Sequence, residues 1–289
     1  MATGDVTLTR GVGYRDDATS AAGFVDTKNQ TSGTVTDTLT TDGDVYTMTT
    51  VFNGSGNGDW GMETTPNIAG GPVTTTYGKT ILRHKENWTG ADAALLIVNY
   101  ADSTHDYFSF TLSTSWKVEV YTLNSNPNKV VQSYSVQIQS TTVGLNFNTR
   151  IAQWDFVFVF KEILTLPAVS QPMPLVVQRY VVELPIPTRE GGIVQDMGSQ
   201  SAMIEVDGTL ITTTTPNNYT GDQWWDVLVG TQLEANWQWL SSDRINYKYQ
   251  IENLTPQQEP GKVGFYGFRM KLRKIDILGA TAQTFGAIQ

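Results

Sequence analysis

The chain of 289 residues contains no cysteine and only two histidines, His84 and His105. The absence of cysteine excludes disulfides, thiolate metal sites and a cysteine nucleophile. The two histidines are too far apart in sequence for an HExxH motif or a compact zinc signature. The sequence therefore predicts no metal site and no cofactor.

The chain also lacks long runs of apolar residues and an excess of basic over acidic residues. No run approaches the roughly 18 apolar residues of a membrane helix, and the N-terminus lacks the basic and apolar regions of a secretion signal. We therefore expect a soluble chain that begins at Met1 and does not insert into a membrane. With 19 Lys and Arg against 28 Asp and Glu, the net charge is −9, which disfavours nucleic-acid binding through a basic surface.

Short β-rich runs fill residues 1–165. They are separated by turn-forming clusters of glycine, asparagine and proline, such as residues 53–59 and 124–128. Many short strands at regular spacing, with no helical period, predict an antiparallel β-sandwich of jelly-roll type. The predicted strands are residues 34–40, 45–52, 74–82, 94–100, 107–113, 116–122, 130–138 and 152–163.

The sequence changes character near residue 165. Three prolines within residues 167–174 resist regular strand pairing, which predicts a Pro-rich linker over residues 166–174. The following domain, residues 175–289, has the predicted order β-β-α-β-β. The fold class is therefore mainly β, with an N-terminal sandwich followed by a second β domain that contains one helix.

That helix is predicted over residues 222–241. The large apolar residues Trp225, Val229, Leu233 and Trp237 recur at every fourth position, and Leu228 and Leu240 broaden the same face. Thr220 or Asp222 can cap the first turn.

The second domain resembles a recurrent module of tailed viruses. It is similar to the tube-forming module of phage distal tail and baseplate-hub proteins, and to the N-terminal domain of phage DNA-circularisation proteins. In that family, one strand leads through an Arg and Gly-rich stretch to a second strand, and a helix follows. The resemblance covers residues 175–277, and its segments are residues 180–187, 189–192, 194–198 and 204–208.

The resemblance implies a tail-tube-like β-sheet or barrel domain that assembles with identical subunits into a ring, commonly a hexamer. DNA would pass through the ring as cargo, and the other partners would be tail-tube and baseplate proteins. The expected protein is a structural component of the virion tail, made in the host cytoplasm, and not an enzyme. The order of domains leaves three positions open: a distal tail protein, a tail-hub component or another baseplate ring protein.

The last predicted strand, residues 263–277, bears on this assembly. An edge strand could extend the sheet of a neighbouring subunit, whereas an interior strand of an ordinary sheet is equally compatible with the pattern. Arg269, Lys271 and Arg273 share one face of this strand. That basic face meets an acidic partner subunit, contacts DNA in transit, or is a solvated side of the sheet.

A second hypothesis makes the N-terminal sandwich a glycan-binding module for a host surface. Trp60 and Trp88 stand in polar stretches, where an aromatic ring can stack on a sugar while a neighbouring Asp59 carboxylate binds hydroxyls. The alternative is that these tryptophans fold back onto the sandwich. A third hypothesis, a polysaccharide-degrading enzyme, needs two carboxylates at a spacing that sequence does not give.

Overall fold

The structure is a computed structural model of the chain. It describes residues 6–42, 44–54, 56–123, 128–141, 148–167, 169–170, 175–176, 179–185, 192–199, 203–214, 217–234, 238–241, 246–257 and 266–274.

These residues form nineteen strands and one α-helix. The mainly β fold class with antiparallel sheets is confirmed. In chain order the elements are β1 (Val6–Asp16), β2 (Val25–Asn29), β3 (Thr34–Asp42), β4 (Val45–Asn53), β5 (Trp60–Thr64), β6 (Lys79–Glu86), β7 (Ala93–Tyr100), β8 (His105–Ser109), β9 (Lys117–Thr122), β10 (Val131–Gln139), β11 (Asn148–Leu166), β12 (Val169–Ser170), β13 (Leu175–Val176), β14 (Arg179–Pro185), β15 (Gly192–Ser199), β16 (Met203–Leu210), α1 (Gly221–Gln232), β17 (Gln238–Ser241), β18 (Asn246–Gln257) and β19 (Tyr266–Lys274).

The chain divides into two compact units. The sandwich unit is built from Val12–Glu162, and the helix unit from residues 6–11 together with the described part of Ile163–Asp276. The start of the chain thus belongs with its second half, whereas the sequence placed residues 1–165 in one domain. The reason is long-range pairing: β1 pairs with β17, with Leu8 opposite Leu240.

Part of the predicted linker is a strand of the helix unit. Val169 in β12 pairs with Gly208 in β16, and its side chain is buried. Residues 171–174 of the predicted linker lie outside the described residues.

The sandwich unit consists of two antiparallel sheets around one core. The first has the order β2-β5-β10-β7-β8; in the second, β4 and β6 flank β11, with β3 and β9 beyond them. Phe52, Leu82 and Trp154 of the second sheet and Leu96 and Val136 of the first belong to a single buried cluster. Burial of such large side chains stabilises the unit by about 1.5–3 kcal/mol each. The predicted β-sandwich is confirmed.

The helix unit has the strand order β12-β16-β19-β18-β17-β1, and β13 also pairs with β16. Helix α1 contributes Trp224 and Leu228 to a buried cluster with Phe268 and Met270 of β19. A separate hairpin joins β14 and β15.

The start of α1 follows its predicted cap. Thr220 Oγ1 accepts a hydrogen bond from the Gln223 amide at 3.3 Å, and the Thr220 amide donates to Gln223 Oε1 at 2.9 Å. This capping box satisfies two backbone donors that the first turn leaves free.

The buried face of α1 differs from the predicted one. The helix buries Trp224, Val227, Leu228 and Thr231, while Leu233 beyond its end is 79% exposed. A spacing of four residues advances 40° per step, so a long series drifts around the axis, whereas positions i, i+3, i+4 and i+7 stay together. The helix ends at residue 232, Leu240 lies in β17, and Trp237 lies outside the described residues.

The final strand is an interior strand. β19 pairs with β16 on one side and with β18 on the other. The described part of this strand therefore has both edges covered by its own chain. Of the two interpretations of the predicted strand, the ordinary interior strand is the one observed for residues 266–274, and the rest of the predicted range lies outside the described residues.

Candidate functional site

The first sheet of the sandwich unit has one side that points away from the core, here called the outer face. Strand register defines its members, because residues directly opposite in antiparallel strands point to the same side. Leu96 and Val136 point into the core, so their immediate neighbours in β7 and β10 point outward. The outer face comprises Val25, Thr27 and Asn29 of β2, Trp60, Met62 and Thr64 of β5, Ser133, Ser135, Gln137 and Gln139 of β10, Ala93, Leu95, Ile97 and Asn99 of β7, and His105, Tyr107 and Ser109 of β8.

A row of hydrogen-bonded polar side chains crosses four strands of this face. His105 Nδ1 lies 2.8 Å from Asn99 Oδ1, and Asn99 Nδ2 donates to Ser133 Oγ and to Ser135 Oγ, each at 3.0 Å. Ser135 Oγ in turn lies 2.8 Å from Thr64 Oγ1. Since the amide oxygen only accepts, His105 Nδ1 is the donor in the first bond. Ser133 and Ser135 are themselves buried, whereas His105 is exposed and Asn99 and Thr64 are half-buried. The mutual bonds fix the three accessible groups before a ligand arrives, which lowers the entropy cost of binding.

Apolar and aromatic side chains flank the polar row. Tyr107 is 61% exposed and Val25 is 55% exposed, at opposite edges of the sheet. Trp60 and Met62 are half-buried on β5. The rings of His105 and Tyr107 meet edge to face with centroids 6.0 Å apart, which holds the Tyr107 side chain in place.

The outer face is large enough for an extended ligand. Five strands at about 4.8 Å spacing give a width of about 19 Å between the outermost strands. Trp60 and Tyr107 are three strands apart, about 14 Å across the sheet. Two aromatic rings with polar groups between them suit a chain of several linked rings better than a single small molecule.

Asp59, which the sequence paired with Trp60, is not on the outer face. Its side chain is fully buried and accepts hydrogen bonds from Thr31 N at 2.6 Å, Thr31 Oγ1 at 2.7 Å and Gly56 N at 2.6 Å. Burial alone would raise the pKa of Asp59, but these hydrogen bonds outweigh it and lower the pKa. The carboxylate therefore fixes the turn that leads into β5, and it is not available to a ligand.

Trp88 is likewise a core residue. It is 5% exposed, belongs to the buried cluster of the sandwich, and donates its Nε1 hydrogen to the Asp92 carbonyl at 3.1 Å. The Arg150 guanidinium lies 5.7 Å from the ring centroid. The interpretation that this tryptophan folds back onto the sandwich fits the structure, since an occupied ring cannot stack on a sugar.

Sequence inspection found Trp60 but missed the rest of the outer face. Asn99, Tyr107, Gln137 and Gln139 come from three separate strands. The alternation His105, Tyr107, Ser109 was visible, but only the pairing of β8, β7 and β10 brings these residues to one surface.

The predicted basic face on β19 is paired within the chain. Arg269 makes two hydrogen bonds to the Asp207 carboxylate, at 2.8 and 3.1 Å, and Lys271 Nζ lies 3.2 Å from Glu205 Oε1. Arg273 pairs with Glu252. The three cations therefore face carboxylates of their own sheet, as expected of a solvated side of the sheet. Their role as an oligomer interface stays a prediction.

A cavity of about 540 Å³ opens elsewhere on the sandwich unit, where Asp16 and Tyr46 belong to its lining. Asp16 Oδ1 accepts hydrogen bonds from the Ala18 amide at 2.9 Å and from the Tyr46 hydroxyl at 3.1 Å, and Tyr134 also donates to Asp16. Arg15 and Asp17 form an ion pair at 2.8 Å on the same wall. These polar groups are engaged with one another.

A buried cluster surrounds the other histidine. His84 is fully buried, with Nδ1 2.7 Å from Glu86 Oε1 and Nε2 3.3 Å from Glu119 Oε2. Burial alone would raise the pKa of Glu119, but hydrogen bonds from Lys117, Thr111 and Tyr121 lower it to about 2. The enclosed position is typical of a charge cluster that holds β6 against β9. The expectation that the protein is not an enzyme stays a prediction.

Within the described ranges, no group of three or more His, Asp or Glu side chains is arranged to hold a metal ion. Helix α1, the one helix of these ranges, is too short to cross a bilayer.

Comparisons with known proteins give only distant structural similarity. No protein-family model matches the chain, and no curated protein matches it. A family 11 carbohydrate-binding module of a cellulosomal cellulase from Clostridium thermocellum is 10% identical, with a TM-score of 0.34, over 50% of this chain and 92% of that module. A family 29 carbohydrate-binding module is 12% identical, with a TM-score of 0.33, over 53% of this chain and 88% of that module.

A third similar structure is the enzymatically active domain of tailspike protein 4 of bacteriophage CBA120. It is 11% identical, with a TM-score of 0.32, over 49% of this chain and 20% of that protein. At such scores none of these similarities identifies a ligand, so the outer face is judged by its own residues. The resemblance of residues 175–277 to phage tail proteins stays a prediction, and several stretches of it, among them residues 186–191 and 258–265, lie outside the described residues.

Proposed function

We propose that the sandwich unit binds a carbohydrate chain on its outer face. The observation that carries this proposal is the fixed polar row from His105 to Thr64, flanked by the exposed ring of Tyr107 and the half-buried ring of Trp60. Sugars present hydroxyl groups at the rim of the ring and C–H groups on its faces. A flat surface that combines aromatic rings with neutral hydrogen-bonding groups matches both.

The two kinds of contact have different roles. Trp60 and Tyr107 supply apolar area that is already rigid, so stacking costs little conformational entropy. Gln137 and Gln139 supply amide groups that both donate and accept, as hydroxyls require. The amides give orientation and selectivity, while the rings give most of the affinity.

Replacement of the aromatic residues tests the proposal. We expect Trp60→Ala and Tyr107→Ala each to weaken glycan binding by about 10- to 100-fold, because each removes a stacking surface of roughly 1–3 kcal/mol. The measurement is binding of the full-length chain to a broad glycan array, followed by titration calorimetry on the glycans that bind.

Trp116→Ala provides a matched control. Trp116 is also half-buried, but its ring packs against Arg83 and Lys85 of the second sheet, with the Arg83 guanidinium 4.5 Å from the ring centroid. This variant should bind glycans as the unaltered chain does. The proposal fails if the chain binds no glycan on the array, or if all three variants bind equally well.

A further inference from the structure

We infer that the glycan bound on the outer face is uncharged, and specifically that the site disfavours uronate, sialate, sulfate and phosphate groups. This inference rests on the proposed function and adds the chemical class of the ligand.

The observation is the charge distribution on the five strands. Register places every Asp, Glu and Lys of β2, β5, β7, β8 and β10 on the side opposite the outer face. They are Glu63, Asp106, and Asp26 and Lys28, of which the last two are exposed on the edge strand. None of the residues that register places on the outer face is Asp, Glu, Lys or Arg. Since side chains alternate along a strand, a shift of pairing by one residue would bring these charges outward.

An anionic sugar would lose more than it gains on such a surface. Binding strips water from a carboxylate or sulfate, and a neutral surface offers no cation to replace that hydration. Proteins that recognise these groups use arginine or lysine, whose charge-assisted bonds are about twice as strong as neutral ones. The net charge of −9 adds a repulsive background for polyanions.

Charges beside the face do not change this balance. Lys129, which precedes β10, reaches the turn between β7 and β8: its Nζ lies 3.6 Å from Asp102 Oδ2 and also donates to Thr104 Oγ1. The cation there is already paired with a carboxylate of its own chain. On the face itself, the Nδ1 of His105 is engaged with Asn99.

Matched neutral and anionic polysaccharides test the inference. The full-length chain is titrated with methyl-esterified and de-esterified polygalacturonate, with dextran and dextran sulfate, and with the neutral and acidic glycans of the array. We expect every glycan whose binding depends on Trp60 to be neutral, with anionic counterparts at least about tenfold weaker. Binding should change less than about twofold between roughly 0.05 and 0.5 M NaCl, because no ion pair is screened.

An added charge provides a second arm. Thr27 is exposed on the edge strand of the face, so Thr27→Lys should fold and give salt-sensitive binding to polygalacturonate that Thr27→Gln lacks. The inference is overturned if the unaltered chain prefers anionic glycans in a manner that depends on Trp60. That result would leave the proposed carbohydrate function intact, whereas failure of both neutral and anionic glycans to bind would refute the function itself.

Discussion

Glu63 lies on the inner side of β5, opposite Asp26 of β2, and Asp37 approaches the same strand from β3. A methyl group at position 61 would lie 1.9 Å from Asp37 Oδ2, so only glycine leaves room for this carboxylate. Burial, then repulsion from Asp26 and Asp37, raises the pKa of Glu63 from 4.5 to about 7. Burial is also the main cause that raises the pKa of Asp37 from 3.8 to about 6.

These raised pKa values predict a pH-dependent stability. Between pH 4.5 and 7 the folded chain holds a proton on Glu63 that the unfolded chain releases, so stability falls as the pH rises through this window. Glu63→Gln imitates the protonated form. We expect it to be more stable than the unaltered chain at pH 8.5, by about 1–2 kcal/mol once solvent screening is allowed for, and similar near pH 4.5. Calorimetric unfolding at both pH values measures the difference.

Glu119 provides a control of opposite sign. Its pKa is lowered to about 2, so its ionised form stabilises the fold above pH 4.5, and this contribution is lost as the pH falls toward 2. Glu119→Gln should therefore destabilise the chain at pH 7. If Glu63→Gln also destabilises it at pH 8.5, the proposed repulsion among the inner carboxylates is wrong.

At the scale of elements, the buried side of α1 contributes most of what this helix adds to stability. Trp224 is fully buried and donates its Nε1 hydrogen to Thr213 Oγ1 at 2.9 Å. We expect Trp224→Ala to reduce the free energy of unfolding of the helix unit by about 3–5 kcal/mol, because it leaves a cavity and a lost hydrogen bond. Leu233→Ala, at a side chain 79% exposed, should change it by less than about 0.5 kcal/mol.

Urea unfolding followed by circular dichroism separates these two variants. Equal losses in stability from Trp224→Ala and Leu233→Ala would mean that α1 is rotated from the orientation described. A larger loss in stability for Leu233→Ala would support the buried face that the spacing of four residues predicted.

The same scale shows how much of the elements the sequence predicts. The hairpin of β3 and β4 and the cap at Thr220 follow from turn and capping residues, because those signals are local. The interior position of β19 does not follow, since an edge strand and an interior strand share the same alternation and differ only in whether neighbours are present. The ion pair between Arg269 and Asp207 depends on that same pairing.

At the scale of the whole molecule, the ring predicted from the tail-protein resemblance can be tested by the molecular mass of the assembly. One chain is 31.9 kDa, and a hexamer would be six times heavier. Light scattering coupled to size-exclusion chromatography, over a range of concentrations, measures this directly. A stable multiple of the chain mass is the result expected from the resemblance, whereas a persistent monomer would contradict it.

The interior position of β19 removes the edge-strand argument for such a ring, although the resemblance itself is independent of that argument. Carbohydrate binding and ring assembly concern different parts of the chain, so both can hold together. Trp60→Ala should weaken glycan binding by about 10- to 100-fold without changing the mass, which lets the two hypotheses be tested separately.

The sequence by itself determined the mainly β composition, the sandwich in the first half, the short capped helix start and the absence of thiol chemistry, because these depend on composition and on patterns within a few residues. Tertiary structure alone decided that residues 6–11 join the second unit, that Asp59 and Trp88 are buried, and that Trp60, Asn99 and Tyr107 share one uncharged face. The physical reason is that strand alternation gives two sides without saying which is the core. Only pairing between distant strands assigns the sides.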